Sequence, residues 1–104
     1  MSVRMIITAV ISDREKFLQA YAKPAAALVE KYGGRYKAIG REAQLLEGEW
    51  GEGASVLVSE WPNREAAYAF WTSDEYEKLK AHRHGIAQVQ VLMIDMQDLD
   101  QSSS

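Results

Sequence analysis

The sequence predicts an α+β domain with one four-stranded antiparallel sheet and its elements in the order βαββαβ. Three observations predict it: four apolar or β-branched runs, two helical periodicities between them, and Pro or Gly where one kind gives way to the other. The stretch Ala54–Phe70 shows all three at once. ASVLVSEW is strand-like, Pro62 cannot donate to a ladder and stops it, and Asn63 is a good N-cap for the helix begun by REAAYAF.

The remaining elements follow in order. Val3–Ile11 is almost continuously apolar, as for a strand covered on both faces. Ser12 to Glu15 matches the S-x-x-E capping box, so a helix starts there, with Phe17, Tyr21, Leu28 and Tyr32 on its apolar side. Pro24 removes the bond to the Ala20 carbonyl and is expected to kink or interrupt that helix; Gly33-Gly34 ends it, the first in a left-handed cap. Arg35–Gly40 reads as a second strand, Tyr36 and Ala38 on one side and Lys37 and Ile39 on the other, with Gln44–Trp50 continuing or re-entering the sheet. Gly48, Gly51 and Gly53 are turn material before the strand Ala54–Trp61.

The second helical region comes in two pieces. Asn63 caps the first, which buries Ala67, Phe70 and Trp71; Thr72-Ser73-Asp74-Glu75 offers a capping box for the second, continued by Tyr76, Leu79 and Arg83. Gly85 closes it, Gln88–Met96 is the last strand, and the polar residues 97–104 read as a frayed tail after a single domain over 1–96.

This is the split βαβ pattern of ferredoxin-like folds, with strands one and three central and both helices on one face. The strands, however, are apolar on both faces. Met5, Ile7 and Ile11 oppose Ile6 and Val10, while Val56 and Val58 oppose Leu57 and Trp61. Two helices cover one face only, so a second copy of the chain, packed sheet to sheet under two-fold symmetry, is expected to cover the other.

The totals exclude several classes. Twelve Lys and Arg against fifteen Asp and Glu give a net charge of -3 with both signs interspersed and no basic stripe, so no nucleic-acid partner is expected. There is no cysteine, which removes disulfides, thiol nucleophiles and thiolate metal sites. The apolar run Met5–Ile11 after Arg4 is too short for a membrane span and lacks a small-residue cleavage site, so a soluble, unprocessed, cytoplasmic protein is expected. Glycines 33 and 34 have neither the spacing nor the lysine of a phosphate loop.

Several stretches carry a family resemblance: Lys31-Tyr32-Gly33-Gly34-Arg35-Tyr36, Leu46-Glu47-Gly48-Glu49-Trp50, Val58–Phe70, and Ser73-Asp74-Glu75-Tyr76 with Arg83. In these the chain resembles domain-of-unknown-function family 1330, within the dimeric α/β-barrel superfamily. It departs from the family pattern at Gly40-Arg41-Glu42, Trp61 and Asp74. The resemblance implies a ferredoxin-like protomer and a dimer with facing sheets. It implies no single activity, since that superfamily holds cofactor-free monooxygenases, haem enzymes, lactone isomerases and plain binding proteins.

The candidate functional residues are few. Glu60 continues the line of Val56 and Val58, and a carboxylate on an apolar strand face can have its pKa raised and act as a general base; the plainer reading pairs it with Arg35 or Arg83. His82, near Glu60, is the candidate proton shuttle, although a histidine at a helix C-terminus is favoured by the dipole alone. His82-x-His84 lacks a third ligand, so neither metal nor another cofactor is expected. Tyr36 and Trp71, with Tyr21 and Tyr76, can line a hollow between sheet and helices or simply fill the core. Arg83 can clamp a carboxylate or meet the end of its own helix. These residues fit a site for a compact acidic or aromatic molecule with acid/base chemistry at Glu60 and His82, or a non-catalytic dimeric module.

Overall fold

The computed structural model of the chain describes residues 2–99; residues 100–104 of the expected tail lie outside the described residues. Four strands, β1 (Ser2–Ile11), β2 (Arg35–Gly40), β3 (Ser55–Trp61) and β4 (Ala87–Met96), form one antiparallel sheet in the order β2-β3-β1-β4. Strands β1 and β3 are central, as the ferredoxin-like order requires.

The first helical arm is α1 (Arg14–Phe17), a π-helical turn (Leu18–Ala22) and α2 (Lys23–Lys31). Asp13 caps α1, its carboxylate accepting from the Lys16 amide at 3.1 Å, whereas Ser12 was expected. The reason is that β1 still pairs with β4 at Ile11, and Ser12 stays bound to that edge through its amide and hydroxyl, both donating to the Ile86 carbonyl. Pro24 has the expected consequence in a specific form. The Lys23 amide bonds to the Leu18 carbonyl five residues back, and α2 starts afresh with Pro24 in its first turn, where no N–H is needed. At the other end Gly33 (φ 93°) forms a Schellman cap, its amide donating to Glu30 and that of Gly34 to Val29.

The second arm is α3 (Arg64–Trp71), α4 (Asp74–Lys80) and a 3₁₀ turn (Ala81–Arg83). Asn63 caps α3 by accepting from Ala66 at 2.8 Å, and Ser73 caps α4 by accepting from Tyr76 at 3.1 Å. The two arms cover one sheet face, where Val3, Met5, Trp61, Tyr21, Ala25, Val29, Ala67, Phe70 and Tyr76 form the buried core. Among the described residues no helix is long and apolar enough to cross a membrane.

Two local expectations are corrected. A register shift between Tyr36 and Ala38 on edge strand β2 sets Tyr36 against Ser59 and Ile39 against Leu57, so Tyr36 and Ile39 share the helix-side face. Residues 44–50 add no strand; they belong to an irregular crossing held by Ala43 and Ala54 and turned at Gly48, Gly51 and Gly53. This segment carries Trp50 to Gln88 on the far edge strand, where its indole N–H donates to the side-chain oxygen at 3.1 Å. Residue 98, expected to fray, is also tied: Asp98 accepts from both terminal nitrogens of Arg4 at 3.0 and 3.1 Å.

Gly34 has an ordinary φ, yet a Cβ there would stand 2.8 Å from three ring atoms of Trp61, which is only 2% exposed. Gly34→Ala should therefore destabilise the protein by about 1–3 kcal/mol through overpacking, read as a lowered urea midpoint with an unchanged slope.

Candidate functional site

Between the helix-covered face of the sheet and the two arms lies a cavity of about 400 Å³. Its floor is Met5, Ile7 and Ala9 of β1, Leu57 and Ser59 of β3, and Val91 of β4; Tyr36 and Ile39 form one side. The roof comes from the first arm (Phe17, Leu18, Tyr21, Ala22, Ala25) and the second (Phe70, Trp71, Tyr76). The π-turn sets Tyr21 and Ala22 at this roof, so the local response to Pro24 also shapes the site.

Its polar groups converge from both arms. The Tyr21 and Tyr76 hydroxyls are 2.7 Å apart, and one terminal nitrogen of Arg83 donates to both, at 2.8 and 2.9 Å. The guanidinium also lies 5.2 Å from the centre of the Tyr21 ring, on its face. Burial, reinforced by Tyr76 and opposed by Arg83, pushes the Tyr21 phenol well above its ordinary range. The Tyr36 phenol is pushed up to about 12, chiefly by burial and then by Tyr76, although part of its ring is exposed. These phenols therefore stay protonated across the neutral range. Ser59 accepts from the Trp61 indole at 3.0 Å, and the buried Ser55 hydroxyl has no hydrogen-bond partner among the described residues. Arg14 and Arg41 are the charged residues of the wall, which contains no carboxylate and no imidazole among the described residues.

The structure thus brings together Tyr36, Trp71, Tyr21 and Tyr76, with Arg83 behind the tyrosine pair. It does not bring Glu60 and His82 together. Glu60 projects from the opposite face of the sheet beside Arg4 and Arg35, at the end of β3 that pairs with the start of β1. His82 is exposed in the 3₁₀ turn on the helix side, ahead of the start of β4, whose first residue pairs with Ile11 at the far end of β1. The anticipated rise in the Glu60 pKa is also absent. The Arg35 guanidinium, 3.0 Å away, holds the carboxyl below the usual glutamate range against the opposing effect of desolvation. Arg35 and, at 3.5 Å, Arg4 are the charge partners, and Arg83 is not. Sequence reasoning missed Ser55, Ser59, Arg14 and Arg41. The two serines were accessible to it, because Ser55, Leu57, Ser59 and Trp61 alternate along one strand face; the arginines have no local signal.

With this geometry the comparisons with known proteins agree. Residues 3–97 match the family described as "Domain of unknown function (DUF1330)", and the chain belongs to that family. No curated protein matches the sequence. Among solved structures, a protein of unknown function from Rhodopseudomonas palustris is similar with a TM-score of 0.78 and 16% identity, over 94% of this chain and 84% of that one. A protein of unknown function from Bacteroides thetaiotaomicron, described as a possible oxidoreductase, has a TM-score of 0.67 and 13% identity over 91% and 97% of the two chains. SnoaB of Streptomyces nogalater, a cofactor-independent oxygenase, has a TM-score of 0.68 and 11% identity over 94% and 95%. At these identities the likeness is one of fold.

The Glu60 pairing has a defined pH signature. A folded-state pKa below the unfolded one stabilises the fold above the unfolded value, and the contribution is lost as pH falls through the folded value. Glu60→Gln should therefore be less stable than wild type near neutrality, and the gap should close on acidification below pH 4. Denaturant midpoints of both proteins across that range check it, and Arg35→Gln should raise the Glu60 pKa in an NMR titration.

Proposed function

We propose that the protein is a homodimeric binding protein whose protomers each hold a small acidic or aromatic molecule between sheet and helices. The observation that carries the binding half is the cavity. Its volume falls in the range of small-molecule sites, its surface is mainly hydrocarbon and aromatic rings, and a few hydroxyls supply direction. Arg14 and Arg41, with no acid among the described wall residues, favour an anionic occupant. Binding alone, rather than acid/base turnover at Glu60 and His82, is the better supported reading. A general base must reach its proton, and neither residue lines the cavity.

The dimer half rests on the other sheet face. Ile6, Val58 and Leu92 lie side by side across β3, β1 and β4, with Ala38 and Ile94 beside them. Leu92 is 64% exposed and Ile94 41% exposed. A four-stranded face of this composition gives a self-complementary surface under a two-fold axis.

Amide chemical-shift mapping with 8-anilinonaphthalene-1-sulfonate tests the cavity. Shifts should cluster at Tyr21, Trp71 and Tyr76, and Leu18→Trp, which fills the roof, should suppress them. Shifts confined to Ile6, Leu92 and Ile94 would refute the site.

Light scattering tests the assembly: wild type should have twice the chain mass at micromolar concentration, and Leu92→Arg should be a monomer. A wild-type monomer throughout that range would overturn the dimer.

A further inference from the structure

The tyrosine pair at the cavity roof contains one hydrogen-bond donor too many. A phenol has one proton to give and two lone pairs to accept with. Arg83 donates to both hydroxyls, and one tyrosine donates to the other. The tyrosine that receives accepts two hydrogen bonds, so its lone pairs are used and its own O–H remains. No described residue accepts that proton. Swapping the roles of Tyr21 and Tyr76 leaves the same surplus on the other ring. Both residues line the cavity, and they are only 9% and 2% exposed. A buried donor without an acceptor is costly, and a cationic guanidinium behind it polarises it further.

We propose that this surplus phenol proton, backed by Arg83, anchors an oxygen of the bound molecule, so that the occupant is a planar aromatic anion such as an arene carboxylate or phenolate. The inference rests on the cavity reading above and adds to it which end of the occupant points where. The charged oxygen lies at the Tyr21–Tyr76 pair and the rings lie against Trp71 and Phe70. Burial raises the Tyr21 phenol well above its ordinary range, so on that ring the proton stays in place across the neutral range. Arg83 is a positioning residue: its side chain orients both hydroxyls and does not belong to the wall itself.

A pair of probes of nearly equal shape tests this: 2-naphthoate carries the oxygen anion, and 2-ethylnaphthalene carries none. Binding is followed by Trp71 fluorescence, with Trp71→Phe as the control for Trp50 and Trp61. Wild type should bind 2-naphthoate at least about tenfold more tightly than 2-ethylnaphthalene. Tyr21→Phe and Tyr76→Phe singly should keep most of that preference, because each leaves one free O–H. The double variant should lose it while still binding 2-ethylnaphthalene. If the double variant does not fold, the wild-type protein decides alone: its buried hydroxyl proton resonance should shift on adding 2-naphthoate and stay put with 2-ethylnaphthalene. Equal binding of the two probes by wild type overturns the anchor and leaves the cavity reading intact. Preference that survives in the double variant, or disappears only in Arg14→Gln/Arg41→Gln, also overturns it. Binding of neither probe overturns both readings.

Discussion

The hydroxyl contact between Tyr21 and Tyr76 is the constraint on which the helical layer depends. These residues are 55 apart in sequence and belong to different arms, so the bond joins the arms at a fixed distance. Two phenol rings are long spacers. Among the wall residues Ala9 in the floor and Ala22 and Ala25 in the roof are small, and the interior does not close. A hollow of about 400 Å³ in a domain this small forgoes dispersion contacts that leucines at those positions would have made. Around Trp61 the core is close-packed: its ring centre lies 5.1 Å from that of Phe70, tilted by 35°, and Gly34 leaves no room for even a methyl group beside it. A hollow lined mainly by hydrocarbon, under a polar cluster, has the character of a site rather than of a poor core.

The two sides of the sheet do different work with the same kind of residue. On the helix side, apolar side chains make the floor of the cavity and the core around it. On the other, Ile6, Val58, Leu92 and Ile94 face away from every helix of the chain. The crossing segment between β2 and β3 reaches as far as Gln88 through Trp50, yet Leu92 and Ile94 remain substantially exposed. Among the described residues no helix covers these hydrocarbon side chains, of which Leu92 and Ile94 are exposed.

How much of this the sequence revealed depends on how local the determining interaction is. The proline stop at Pro62, the cap at Asn63 and the left-handed Gly33 are decided within a few residues, and all were legible, whereas α4 is capped by Ser73 and not by the Thr72 of the expected capping box, because Thr72 still closes α3. The β2 bulge was not, because it depends on pairing with β3 about 20 residues away and flips Ile39 to the face of Tyr36. The Asp13 cap was hidden for a similar reason: Ser12 is held by Ile86, 74 residues distant. Within the site, Tyr36 and Trp71 could be read as wall residues from strand and helix spacing. Arg83 was read as a carboxylate clamp or a partner for its own helix end; its contact with two tyrosines was not legible, since they come from both arms.

Glu60 shows why an acid on an apolar strand face is an ambiguous signal. A base in a pocket and an ion pair on an open sheet face produce the same alternation of Val56, Val58 and Glu60. Cross-strand register separates them. Arg35 and Arg4 are the two residues directly opposite Glu60, one on each neighbouring strand, and Arg4 in turn holds Asp98. Two cations and two anions therefore neutralise one another at this end of the sheet. An isolated charge taken out of water would meet a desolvation cost of several kcal/mol, which a balanced group lessens. The lowered Glu60 pKa then has a structural meaning. It keeps the carboxylate ionised, so that it goes on compensating the arginines beside it.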